Sequence, residues 1–203
     1  MVLAWMFFIL TGVLFADDYK NVKFDRLSSE NFKLVKGVSQ NWIYAIMQDR
    51  YGYIWLGTWD GLNKYDGYNF TIFNVADGLS DHTVYSLLED FDGNLWIGTE
   101  NGLTLFDRDK LHLVKVELHS SDSSGRYFER INSVIQTRDS CIWLGTGAGI
   151  KKYDPRTGKV TSYLASYQEY YSPRSNYILD LFEDDKGILW VSTTYGLVRF
   201  DPE

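Results

Sequence analysis

One tryptophan-led motif occurs four times in the chain. It reads WLGTWDGLNKYD from Trp55, WIGTENGLTLFD from Trp96, WLGTGAGIKKYD from Trp143 and WVSTTYGLVRFD from Trp190. The spacings are 41, 47 and 47 residues (96−55, 143−96, 190−143). Self-similarity at a period of about 45 means that one supersecondary unit has been copied along the chain, and stacked copies supply the core that one copy cannot.

Each copy reads as a four-stranded antiparallel meander. In the second, Val84 to Asp90 is strand-like and Phe91-Asp92-Gly93 is a hairpin signal, since Asp-Gly between apolar runs favours a tight turn. Asn94 to Thr99 is a second strand carrying Trp96, Glu100-Asn101-Gly102 turns, Leu103 to Asp107 is a third strand, and His112 to Leu118 a fourth. The other copies align by column. First strands start at Ile43, Val84, Ile131 and Ile178, each twelve residues before its tryptophan. Third strands carry Leu62, Leu103, Ile150 and Leu197 and close on Asp66, Asp107, Asp154 and Asp201.

The strands do not alternate between apolar and polar residues; Leu87-Leu88 and Ile54-Trp55-Leu56 are continuous apolar runs. Continuous runs imply sheets covered on both faces. Four-stranded sheets at this period, packed face to face about an axis, make an all-β protein, a β-propeller. The blades are expected over about 43–75, 84–118, 131–165 and 178–203, with 22–27 as a closing outer strand. Each tryptophan should lie against a neighbouring blade. Gly57, Gly98 and Gly145, two residues on, with Ser192 in the fourth copy, should let that neighbour approach closely. Two arrangements fit four copies: a stretch of a larger ring, or a closed four-bladed ring.

Val2 to Phe15 is apolar apart from Thr11 and Gly12, and Ala16-Asp17-Asp18 ends the run. It is shorter than the roughly 20 residues that span a bilayer. It reads as a signal peptide over 1–16, cleaved after Ala16, which makes the remainder an exported protein. A single cysteine, Cys141, leaves no intramolecular disulfide. The net charge of −7 is mixed in sign along the chain, which argues against nucleic acid, whose partners carry a basic face.

Binding residues are sought where equivalent columns vary. The turns between second and third strands and the loops entering first strands should meet at one end of a propeller. They carry Trp59-Asp60, Glu100-Asn101, Gly147-Ala148 and Thr194-Tyr195, and Asn41-Trp42, His82-Thr83, Glu129-Arg130 and Asn176-Tyr177. Trp42, Trp59, Arg130, Tyr177 and Tyr195 are the expected binding surface: flat aromatics suit sugar rings, and Arg suits a carboxylate or sulfate. Taken singly, each is more readily an ordinary loop residue; taken as a group, the two readings stand even.

No metal site and no cofactor is expected. The Asp-Gly turns lack the alternating oxygen ligands of a calcium loop, and His82, His112, His119 and Cys141 lack metal-ligand spacing. No catalytic residue is assigned: nucleophile-elbow and phosphate-loop motifs are absent. The recurring carboxylates Glu89-Asp90 and Glu183-Asp184 point to turn structure, since one active site does not need two copies.

The runs GLS (78–80) and LLEDFDGNLWIGTENGL in the second copy, and GVSQN (37–41) with QDRYGYIWLGTWDGLNKYDGYNF in the first, resemble the two-component regulator propeller repeat. The resemblance covers residues 22–203. It implies the periplasmic sensor region of a bacterial hybrid two-component system, with paired seven-bladed propellers, a β-sandwich, a membrane helix, and kinase and regulator domains in the full protein. It therefore favours the larger-ring arrangement. It further implies an oligosaccharide or other small ligand, with further blades, domains or another protomer as partners. Membrane attachment would come only through a segment downstream of this sequence. The kinase activity implied for the family is not encoded in these residues. A propeller-scaffold lyase or hydrolase resembling streptogramin lyase, with His82 and Glu100 as its acid–base pair, and a protein-interaction scaffold are the alternatives; fold alone does not decide between them.

Overall fold

The computed structural model describes residues 37–108, 110–118, 130–163 and 177–202. The expected signal segment, the 22–27 strand and His119 lie outside the described residues. Within them the protein is all-β, apart from one 3₁₀ turn at Val75–Asp77. The first sheet contains β1 (Ile43–Gln48), β2 (Ile54–Thr58), β3 (Gly61–Tyr65) and β4 (Phe70–Phe73). The second contains β5 (Val84–Glu89), β6 (Leu95–Thr99), β7 (Gly102–Asp107) and β8 (His112–Val116). The third contains β9 (Ile131–Gln136), β10 (Ile142–Thr146), β11 (Gly149–Asp154) and β12 (Lys159–Tyr163). The fourth contains β13 (Ile178–Glu183), β14 (Leu189–Thr193) and β15 (Gly196–Phe200). Every sheet is an antiparallel meander in sequence order. The first strands are neighbours from blade to blade, β1 on β5, β5 on β9 and β9 on β13. These are four consecutive blades of a β-propeller.

The repeated motif is accounted for atom by atom. Trp55, Trp96 and Trp143 are buried in the layers between successive blades. Each indole N–H finds an acceptor six residues upstream: Trp55 and Trp96 donate to Asp49 and Asp90 at 2.8 Å, Trp190 to Asp184 at 2.9 Å, and Trp143 to the Thr137 hydroxyl at 3.0 Å. A buried indole N–H would otherwise carry a desolvation penalty. The same carboxylates accept the turn amides, as Asp49 does from Tyr51 and Tyr53 at 3.0 Å. The recurring carboxylates are thus both turn residues and indole acceptors.

The glycine two residues past Trp55, Trp96 and Trp143 marks a close approach of the next blade. A Cβ on Gly57 would sit 2.6 Å from a Val84 methyl carbon, and one on Gly98 2.9 Å from the Ile131 carbonyl oxygen. The next residue, Thr58, Thr99, Thr146 or Thr193, donates its hydroxyl to the carbonyl of the glycine three positions on, at 2.8–3.0 Å. That glycine has φ between 104° and 133°, a region closed to most side chains.

The main apolar layers lie between blades, and the outward faces of the two end blades are only partly covered. Val84, Ile131 and Ile178 are buried against the preceding blade, yet Ile43 in the same column is 45% exposed and Ile46 is 73% exposed. Leu62 and Leu103 are fully buried, whereas Leu197 is 67% exposed. The expectation that every sheet is covered on both faces therefore holds for the second and third blades; on the leading face of the first, Val38 packs with Leu56 and Phe70 but leaves Ile43 and Ile46 exposed, and the trailing face of the fourth leaves Leu197 exposed.

Polar bridges lock the outer turns of adjacent blades. Arg50 donates to the Asp90 and Phe91 carbonyls and to Glu89, and Arg138 reaches the Asp184 and Asp185 carbonyls. Arg108 joins Asp49 at 3.0 Å to Glu89 at 3.1 Å. Burial pushes the Asp49 carboxyl up, but hydrogen bonds from Trp55, Arg108 and the Tyr53 amide outweigh it and hold its pKa below the ordinary value.

Candidate functional site

Each β2–β3-type turn folds back onto the residue that enters its blade's first strand. The amides of Trp59, Glu100, Gly147 and Thr194 donate to the carbonyls of Trp42, Thr83, Arg130 and Tyr177 at 3.0–3.3 Å. The two variable columns therefore meet at one end of every blade. One further column joins them. Each first strand carries a β-bulge, which leaves Tyr44, Tyr85, Asn132 and Leu179 without a direct partner in the ladder. A bulge re-aims the side chain of its extra residue. The irregular pairing is invisible to periodicity, and these four residues went unassigned in the sequence.

Two clusters result. On the first blade, Trp42 and Trp59 pack edge to face, with ring centroids 5.9 Å apart and planes at 89°. They are 66% and 51% exposed and with Gln40 line an open cleft of about 350 Å³.

The second cluster lies where the second and third blades meet. The Arg130 guanidinium carbon sits 3.7 Å above the Tyr85 ring centroid and 5.8 Å from that of Tyr177. Its Nε donates to Asn132 Oδ1 at 2.7 Å, and Asn132 Nδ2 donates to the Ile178 carbonyl at 2.6 Å. Glu100 Oε2 is 3.9 Å from Nε. Burial and a hydrogen bond to Glu100 raise the Tyr85 pKa, so the ring beneath Arg130 stays a neutral phenol. Tyr44 extends the aromatic floor, 4.9 Å from Tyr85.

Of the five residues expected to form one surface, Trp42 pairs with Trp59 and Arg130 with Tyr177. Tyr195 is 56% exposed on the β14–β15 turn, its amide bonded to Thr193. His82 lies 3.8 Å from Asp60, while Glu100 is committed to Tyr85 and Arg130. Cys141 is buried within the layer around Trp143. Among the described residues there is no cluster of potential metal ligands, and no helix is long and apolar enough to cross a membrane.

Residues 37–60, 78–101 and 172–195 match the two component regulator propeller family. Over those three segments the chain is similar to two-component regulator propeller repeats. A segment of 43 residues, 21% of the chain and 3% of the relative, is 46% identical to Histidine kinase P4 of Formosa agariphila. Among solved structures, the repeats superpose on the extracellular domain assigned to a hybrid two-component system of B. thetaiotaomicron, with a TM-score of 0.67 and 24% identity over 83% of this chain and 22% of that one. Virginiamycin B lyase of Staphylococcus aureus gives a TM-score of 0.58 at 15% identity, over 79% of this chain and 56% of that one. The chain thus spans about a fifth of the extracellular domain that it resembles. At these identities the two solved structures establish a common fold.

Proposed function

We propose that this chain is a non-catalytic, ligand-binding stretch of propeller from the sensor part of a hybrid two-component receptor. It is exported to the periplasm and recognises a glycan or other small extracellular ligand. The observation that carries the ligand reading is the Trp42–Trp59 pair. Two large rings held at right angles beside an open cleft, both more than half exposed, are a costly use of apolar surface unless something covers them. Indole faces pack on the C–H faces of sugar rings, while Gln40 at the cleft supplies hydrogen bonds for hydroxyls. The non-catalytic reading is supported by His82 and Glu100 being engaged with different partners, Asp60 and Tyr85. The partly covered end faces, with Ile43 and Ile46 on one and Phe182 and Leu197 on the other, suit further blades or another protomer as partners.

Calorimetry with neutral oligosaccharides, on the chain and on Trp42→Ala and Trp59→Ala, tests the ligand reading. Each variant should weaken binding at least tenfold. Equal affinity in all three proteins would remove the pair from the binding surface.

A further inference from the structure

We infer that Arg130 anchors a carboxylate subsite, so that the ligand of this face is an acidic one, such as a sugar acid. The inference rests on the ligand-binding reading above and adds the chemical class of the ligand.

Arg130 is held in place from two directions. Its plane is stacked on Tyr85, and its Nε edge is fixed by Asn132, which is itself tied to the Ile178 carbonyl of the fourth blade. Among the described residues neither Nη nitrogen has a hydrogen-bond partner, although the side chain is only 33% exposed. An arginine whose rotamers are already restricted gives up little entropy on binding, and its two Nη groups match the two oxygens of a carboxylate in a forked pair. Glu100 does not occupy that fork: it lies 3.9 Å from Nε, near the edge already held by Asn132. Both supports, Tyr85 under the guanidinium plane and Asn132 at its Nε edge, are the bulge residues of their strands. The structural alternative, an arginine serving only to tie blades together, is met elsewhere by Arg50, Arg108 and Arg138. Their terminal nitrogens are bonded to carbonyls or carboxylates of the next blade or the neighbouring turn. Arg130 leaves those same atoms unused.

The test uses D-glucuronate and D-glucose as paired probes, titrated into the full chain and into Arg130→Gln and Arg130→Lys, with thermal unfolding as the folding control. Glucuronate should bind the chain at least tenfold more tightly than glucose. The preference should vanish in Arg130→Gln and be reduced in Arg130→Lys, which keeps the charge but loses the fork. Equal binding of the two sugars, no binding of glucuronate, or a preference that survives in a folded Arg130→Gln would each overturn the subsite. If neutral oligosaccharides still bind through Trp42 and Trp59 while the glucuronate preference is absent, the acidic subsite alone fails; if neither probe class binds, the ligand-binding reading fails with it.

Discussion

Asp49 Oδ2 accepts the indole N–H of Trp55 at 2.8 Å while the guanidinium of Arg108, from the next blade, lies 3.0 Å from the same oxygen. One carboxylate thus ties a blade's tryptophan, its own turn and its neighbour. Replacing Asp49 by Ala should cost roughly 3 kcal/mol or more, since it strands an indole donor and a largely buried guanidinium. Thr137→Ala, at the same column but removing a neutral hydroxyl instead of a carboxylate, should cost about 1–2 kcal/mol. Urea unfolding of both variants checks the order; equal losses would mean that the carboxylate contributes no more than a hydroxyl.

The glycine at the blade contact is a steric requirement. A Cβ on Gly98 would meet Ile131 Cγ2 at 2.8 Å and its carbonyl oxygen at 2.9 Å, and the oxygen belongs to backbone. Gly98→Val should destabilise the protein by about 2–3 kcal/mol, read as a lowered unfolding midpoint. Gly158→Ala, on an exposed turn where a Cβ meets nothing, controls for added bulk; its φ of 71° limits the cost to backbone strain of about 1 kcal/mol.

Acid should loosen the indole acceptors. The Asp49 carboxyl is pushed up by burial and pulled further down by Trp55 and Arg108; that of Asp184 is lowered chiefly by the Trp190 indole. A pKa depressed by folding adds stability that is complete above the unfolded value, near 3.9, and is lost as the pH falls through the folded value. Stability should therefore be level from pH 7 to about 5 and decline below about 4. Tryptophan fluorescence during acid titration follows it, and Asp49→Asn should flatten part of the decline.

The partly covered end faces carry the same columns that are buried between the inner blades. Full-length chain should self-associate with rising concentration in sedimentation experiments, and Ile46→Glu or Phe182→Glu should shift it toward monomer. A wild-type chain that stays monomeric at all concentrations would show that the end faces are compatible with water as they stand.

The frame was legible because it repeats. Four copies of Trp, Gly and the closing Asp allowed the strands starting at Ile43, Val84, Ile131 and Ile178 to be aligned, and chemistry shared by every blade stands out against the variable positions. The role of Asp49, Asp90 and Asp184 was half legible: recurrence pointed to turns, but the bond to an indole six residues on depends on how the hairpin curls back over its strand. Thr137 hid the column further, since a hydroxyl replaces the carboxylate there. At the candidate site the pairing of turn and loop columns followed from the meander, and it brought Trp42 to Trp59. Tyr44, Tyr85 and Asn132 were not legible, because a bulge breaks the period-two rule by which strand faces are read.

The bulges separate two kinds of evolutionary freedom. A residue outside the ladder can change from tyrosine to asparagine to leucine, as Tyr85, Asn132 and Leu179 do from blade to blade, without disturbing the pairing on either side. The side chains at the rim can thus change one blade at a time, while the indole-bearing layers beneath keep their packing.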